Sequence, residues 1–389
     1  MERSRYKSPE EQKAELQAGV IVDALEKLEA STGYKVVGVG DIHVLPDGTV
    51  AGVVELSVKE FRGYQWFLFK GDTLIETIGG KEYRYVETLH PLPDGTLAGV
   101  VVLPDAREAL FKGDTLIETI GGKEYRRVDV DHVHPFLDGT LAGLVQLPDG
   151  RWFLFKGDTL IETIGGQKYP RVLDIHPLPD GTLAGAVVLP DAREALFKGD
   201  TLIETIGGQK YRYVLTFHPL PDGTLAGVVE LPDGRWVLFK GDTLIETIGG
   251  EDYRCVYNVH PLPDGTLAGA VQFLPGGRWF LFKGDTLIET IGGQKLREVV
   301  VLDIHPLPDG TLAGVVGLPD AREALFKGDT LIETIGGQKI REILDIHPLP
   351  DGTLAGEVVL SGSVVFFWHM KRVVFFWDMK GRIIIREIN

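Results

Sequence analysis

From residue 34 onward the apolar positions fall into short runs, about four to every 42 residues, and none keeps the 3.6-residue spacing of an amphipathic helix. In the second such stretch the runs are residues 85–90, 96–103, 108–112 and 115–120. Each break carries turn chemistry: Pro93-Asp94-Gly95, Pro104-Asp105-Ala106, Gly113-Asp114 and Gly121-Gly122. The pattern predicts four antiparallel strands, here A to D, joined by hairpins. Strand B (Leu97, Ala98, Gly99, Val100, Val101, Val102, Leu103) has no polar alternation, so it predicts a strand covered on both faces. Its Ala-Gly pair predicts close backbone approach where neighbouring units converge. Glu118 and Thr119 mark strand D as an outer edge that discourages further pairing. Ahead of the first unit lies a different period. Ser8 as N-cap, Pro9, Glu11 and the stripe Leu16, Val20, Ala24, Leu28 predict a helix ended by Gly33 that covers apolar surface.

The stretches are copies. Phe-Lys-Gly-Asp-Thr-Leu-Ile-Glu-Thr-Ile-Gly-Gly occurs seven times, with its lysine at Lys70, Lys112, Lys156, Lys198, Lys240, Lys283 and Lys327. A second string, in most copies His-Pro-Leu-Pro-Asp-Gly-Thr-Leu-Ala-Gly, begins at His43, His90, His134, His176, His218, His260, His305 and His347. In the last unit residues 380–388 keep the phase of Lys-Gly-Asp-Thr-Leu-Ile-Glu-Thr-Ile. A period of 42–44 residues belongs to four-stranded units, not helical repeats. The chain resembles the β-propeller superfamily, in particular bacterial propellers with amplified, nearly identical blades. Trp-Asp occurs only once, at Trp377-Asp378, not blade by blade as in typical WD40 repeats, and the Gly-His dipeptide and the glycine placement of kelch blades are absent. The resemblance implies an all-β, eight-bladed β-propeller with four antiparallel strands per blade over residues 34–389, after a helical segment at 1–33.

Where the copies differ, function is expected. The A–B and C–D turns are nearly uniform, whereas the D–A segments (Lys81 to Tyr85 in the first) and the B–C connections vary. An up-and-down blade puts the variable pair on one face. The residue opening strand C is Trp66, Trp152, Trp236 or Trp279 in four copies and Glu108, Glu194 or Glu323 in three others. The first unit lengthens its B–C loop through residues 57–64, and the last carries a near-duplication there, 364–372 against 373–381. Tryptophan and arginine dominate binding hot spots, so the candidate ligand-binding residues are Trp66, Arg84, Arg126, Trp152, Arg212, Trp236, Arg254 and Trp279. Replacing the uniform turn residues Asp72, Asp114 and Asp158 on the opposite face is expected to leave capture of a partner unchanged.

Charge and chemistry narrow the classes further. With 40 basic against 56 acidic residues the formal charge is -16, which argues against a nucleic-acid partner. One cysteine, Cys255, leaves no intramolecular disulfide, and no segment suggests a membrane span or secretory leader, so the expectation is cytoplasmic. The repeated histidines are expected to bond neighbouring backbone, at spacings too wide for a shared metal site. Two residues before them stand Asp41, Thr88, His132, Asp174, Thr216, Asn258, Asp303 and Asp345, expected to line an axial opening or bond between units. His132 and His134 with Asp129 and Asp131 are the least implausible metal cluster, but no metal or cofactor is assigned. No nucleophile, phosphate-loop or zincin motif is present. The reading is a non-enzymatic scaffold for a protein or peptide partner; the alternative is lectin-like carbohydrate binding at repeated tryptophans.

Overall fold

The computed structural model describes all residues except 1–8, 59–62, 274–278, 296–299, 319, 336–337, 349–351, 353, 361–362, 370–372, 378–382 and 388–389. The chain divides into two compact units, residues 1–192 with 196–202, and residues 193–195 with 203–389. Both are built from antiparallel strands, with one α-helix among the described residues, Pro9–Thr32. Repeat two shows the plan: A (Tyr85–Pro91), B (Leu97–Val102), C (Glu108–Lys112) and D (Thr115–Ile117) pair in the order A-B-C-D. Repeats one, five and seven form the same four-stranded sheet. In repeat three strand A is broken into Arg127–Val128 and His134–Pro135 by a 3-10 turn, Val130–His132.

Strand B explains the stacking. All six residues of Leu97–Val102 are buried. Leu97, Val101, Ala109 and Phe111 pack on Ala51, Val53 and Leu68 of repeat one, while Ala98, Val100 and Leu110 pack on Tyr125, Val128, Leu141 and Val145 of repeat three. Sheet two thus buries both faces between its neighbours, and Phe69, Phe111, Phe155, Phe197, Phe239, Phe282 and Phe326 of the Leu-Phe-Lys segments are fully enclosed. The glycine of the Ala-Gly pair serves a contact inside the repeat, not between repeats as expected. A Cβ at Gly143 would lie 2.8 Å from the His132 carbonyl oxygen of its own strand A, and Gly99 faces Thr88 in the same way. The cause is a bulge in strand A, seen as a register shift between Val86 and Thr88, Val172 and Asp174, Val214 and Thr216, Val301 and Asp303, and Ile343 and Asp345.

Strand D is shorter than its apolar run. It leaves strand C after Ile117, and Thr119–Ile120 pairs instead with Lys123–Glu124 across Gly121-Gly122. The same small hairpin follows repeats one, four, five, six and seven. It lies against the outer edge of the next repeat, where the Gly79 amide donates to Asp114 Oδ1 at 2.8 Å and Lys81 Nζ meets Glu118 Oε2 at 2.6 Å. The Gly-Gly turn therefore sits beside the following C–D turn, which corrects the assignment of the whole D–A segment to the opposite face. Only its end, from Arg84 onward, reaches strand B's far end, where the Arg84 amide donates to Val102 O at 2.7 Å.

On repeat one the helix takes the position that repeat one takes on repeat two. Ala24 and Leu28 pack with Val50, Val54, Leu56 and Phe69, which correspond to the repeat-two residues that rest on repeat one. Glu29 Oε1 accepts from the Val36 amide at 2.8 Å, just ahead of that strand's own bulge. Ser31 Oγ donates to Asp72 O at 2.5 Å, in the C–D turn. Gly33, at φ 72°, ends the helix with its amide bonded to Glu29 O at 2.9 Å. The N-cap proposed at Ser8 lies outside the described residues.

Two further readings change. The extra residues of repeat one lengthen the ladder of strands B (Val50–Val58) and C (Gly63–Lys70), with Ser57 opposite Tyr64, in place of a loop. In repeat eight the near-duplication is not a B–C insertion. Its first copy, within Ser363–His369, pairs with strand B, Leu354–Leu360, and its second, Val373–Trp377, pairs with Ile383–Glu387. Both are β-branched and aromatic runs, so each finds a ladder.

The B–C turns of repeats two, four and seven place Ala106, Ala192 and Ala321 at φ 64°, 66° and 63°, where repeats three and five have Gly150 and Gly234. A left-handed alanine costs about 1–2 kcal/mol, partly offset by glycine's greater freedom when unfolded. Replacing the three alanines by glycine should therefore raise stability by about 0.5–1 kcal/mol each, read as a higher urea midpoint at unchanged slope.

Candidate binding face and histidine arc

The strands that carry the variable residues are pinned by the residues that do not vary. Lys112 Nζ donates to Gly139 O of the next Pro-Asp-Gly-type turn at 2.7 Å, and Lys70, Lys240 and Lys283 make the same bond at 2.9, 2.9 and 2.7 Å. From the same turns Asp114, Asp158, Asp200, Asp242, Asp285 and Asp329 accept from the preceding Gly-Gly turn at 2.6–3.0 Å. Each Lys-Gly-Asp turn is thus a clasp between two neighbours, and its uniformity has a structural cause. The D–A tyrosines are structural as well. Tyr83, Tyr125, Tyr169 and Tyr253 accept from the amides of Leu68, Leu110, Leu154 and Leu238 and donate to Ile75, Ile117, Ile161 and Ile245, bridging the place where strand D departs. Burial pushes the Tyr83, Tyr169 and Tyr253 hydroxyls up to about 12.

The Trp or Glu choice at the start of strand C proves to be two ways of making one joint. Glu108, Glu194 and Glu323 accept from the amides of Val128, Val214 and Ile343 on the next strand A at 2.7, 2.7 and 2.6 Å. In the other repeats Trp66, Trp236 and Trp279 lie half-buried against the inter-repeat cores, and Trp279 stands 5.4 Å from the Tyr257 ring. Trp152 is likewise half-buried.

The arginines separate into two sets. Arg107, Arg151, Arg193, Arg235 and Arg322, which follow the B–C turns, are all tied to carboxylates, at 2.7 Å for Arg107 with Asp105 and 3.0 Å for Arg193 with Glu204. Arg84, Arg126, Arg212 and Arg254 are exposed and make no ion pair among the described residues. Sequence reasoning missed the bulge residues beside them. Leu215, Leu302 and Leu344 are 45, 46 and 49 % exposed, and Tyr257, in the same place relative to its histidine, is 44 % exposed. Period-two alternation gave no reason to single them out; the bulge turns them outward.

The histidines come closer together than expected. Ring centroids lie 6.1 Å apart for His134 and His176, 5.5 Å for His218 and His260, and 6.3 Å for His260 and His305. Side chains two residues earlier are among their partners: Thr88 for His90, Asp174 for His176, Thr216 for His218 and Asp303 for His305. His132 sits between two carboxylates, 3.5 Å from Asp174 and 3.1 Å from Asp129. The Asp174 hydrogen bond, with help from Asp129 and against burial, raises His132 to about 9. Burial works to raise Asp174, yet hydrogen bonds from His132 and His176 hold it well below the usual carboxylate range. Burial and neighbouring imidazoles push His134 and His260 down to about 4. Among the described residues no three His, Cys, Asp or Glu side chains converge as a metal site.

Sheets of order A-B-C-D, stacked through both faces with strand A at one edge and strand D at the other, decide the architecture. The repeats are β-propeller blades. No family model and no curated protein matches the chain. Solved structures are similar at low identity. The surface component PorZ of Porphyromonas gingivalis is 15 % identical over 91 % of this chain and 52 % of that one, at a TM-score of 0.35. A puromycin-hydrolyzing peptidase of Mycobacterium tuberculosis is 13 % identical over 85 % and 59 %, at 0.38. The WD40 β-propeller domain of Doa1 is 15 % identical over 76 % and 96 %, at 0.31. The chain thus spans about half to three fifths of the first two. Likeness at these scores carries no argument, and the blade topology stands on its own sheets.

Two outcomes follow from the site. Replacing Asp114 or Asp158 by alanine should cost about 1 kcal/mol each in a denaturation midpoint, whereas Asp72→Ala should cost nothing measurable, because the helix meets only its carbonyl oxygen. His132→Asn tests the carboxylate pair. A histidine raised from 6.5 to about 9 contributes stability that is full below pH 6.5 and lost as pH climbs through 9. The substitution should therefore cost about 1–3 kcal/mol at pH 6 and much less at pH 10, with the native-state titration visible by NMR.

Proposed function

We propose that the protein is a non-enzymatic, cytoplasmic binding scaffold that recognises a protein or peptide on the face carrying the B–C connections and the ends of the D–A segments. One observation supports this above the others. In a chain of net charge -16, the arginines of the B–C turns are paired with carboxylates, while Arg84, Arg126, Arg212 and Arg254, at the equivalent place in four blades, are exposed with no ion pair among the described residues. Pairing with turn carboxylates accounts for the B–C arginines; exposed, unmatched ones suit an incoming partner. The carbohydrate alternative has less support, because Trp66, Trp236 and Trp279 are half-buried against blade cores.

The test is proximity crosslinking in source-organism lysate with an Arg84→Ala/Arg126→Ala variant and a control, Leu137→Ser, which changes a side chain 84 % exposed on the A–B turn of blade three. A hot-spot truncation costs about 2 kcal/mol or more, so the arginine variant should lose partners that the control retains. If the control loses them and the arginine variant does not, binding belongs to the opposite face.

A further inference from the structure

The strand A residues three before each histidine differ between blades, and in blades five to seven the difference is consistent. Leu215, Tyr257 and Leu302 each stand three residues before the histidines His218, His260 and His305 and are 44–46 % exposed. In blade two that place is the acidic Glu87, in blade four Leu173 is only half-exposed, and in blade three the strand is broken by the 3-10 turn. The three blades present these side chains close together. The imidazoles beyond them are 5.5 and 6.3 Å apart, and Asn258 Nδ2 donates to Leu302 O at 3.3 Å across the blade boundary. Tyr213, 46 % exposed, extends the strip toward the B–C end of blade five. There the Arg212 amide is fixed to Glu230 O at 2.8 Å. Arg254 stands three residues before Tyr257 on the same strand, Glu251–Pro261, and both are exposed.

An apolar strip this exposed is unfavourable in water unless it is used, and the two unmatched cations beside it state what the user carries. We propose that Leu215, Tyr257 and Leu302, with Tyr213, Arg212 and Arg254, form a docking site for an extended acidic peptide segment whose apolar side chains rest on the strip while its carboxylates meet the two guanidiniums. The proposal rests on the protein- or peptide-binding reading above and narrows it to one set of blades and one partner chemistry. The charge sign is set by arginines with no carboxylate partner among the described residues, in an otherwise acidic protein. The apolar requirement is set by a strip that blades two and three do not have.

The probe is a fluorescein-labelled twelve-residue peptide alternating glutamate with leucine and phenylalanine, titrated with the full chain and read by fluorescence anisotropy. Its all-glutamine analogue and a glutamate–serine analogue remove charge and apolar contact in turn. The site requires the parent peptide to bind at least tenfold more tightly than either analogue. Arg212→Gln/Arg254→Gln should weaken it by a similar factor and flatten its salt dependence, and Leu215→Ser/Leu302→Ser should weaken it without altering that dependence. Both variants change exposed side chains, and an unchanged melting curve confirms the fold. Equal binding of all three peptides, or a parent affinity untouched by either variant, overturns the proposal. Loss on Arg84→Gln/Arg126→Gln with no loss on Arg212→Gln/Arg254→Gln also overturns it, while leaving the recognition face intact. Loss of binding on Leu137→Ser alone overturns the face itself.

Discussion

A sheet whose second strand is apolar on both sides cannot be left with a free face, and this requirement governs the structure. Leu97 to Val102 have no solvent side, so the blade they belong to must be covered twice. Within each compact unit the neighbouring blades supply the cover. At blade one the chain supplies a helix instead, and it reproduces three properties of a blade: an apolar surface at Ala24 and Leu28, a carboxylate for the bulged strand at Glu29, and a polar contact to the C–D turn at Ser31. A single amphipathic helix can do so because the face to be covered is only one sheet wide.

Polar bonds then set the register of the stack. Packing alone would let blades slide, since their apolar faces are alike; the lysine and aspartate of each Lys-Gly-Asp turn, aimed at opposite neighbours, allow one alignment. Each bond is individually modest, about 1 kcal/mol, and exposed enough to exchange with water. Their value lies in repetition and direction. The same logic explains the buried tyrosine at the strand C–strand D fork, which supplies a hydroxyl where the ladder would otherwise leave a donor and an acceptor without partners.

Much of this was legible in the sequence and some was not, for identifiable reasons. The four strands, their order and the helix follow from apolar spacing and turn residues, because these are local properties. Strand D's early departure at Glu118 was hidden, since Thr119 and Ile120 are as strand-like as Thr115 to Ile117 and only the Gly-Gly turn and the neighbouring Asp158 decide their partner. The role of that aspartate was invisible for the opposite reason: sequence identity among copies looks the same whether it reflects recent amplification or a contact. The exposed arginines at the candidate face were readable from their variable setting. The bulge residues Leu215 and Leu302 were not, because a bulge shifts inward and outward by one position and nothing in the composition of strand A announces it.

The uniform clasps have a consequence for how the chain reaches this state. Every Gly-Gly turn can be received by any Lys-Gly-Asp turn, so a growing chain can join blade two to blade four, or to a blade of another molecule, with bonds as good as the native ones. Only joints that differ from blade to blade discourage such skipping. Glu108 needs a strand A with an open amide before its bulge, while Trp66 and Trp279 need room for an indole. Alternation between these two joints, together with a helix that fits only the first blade, acts as an address system during synthesis, and uniform blades would erase it.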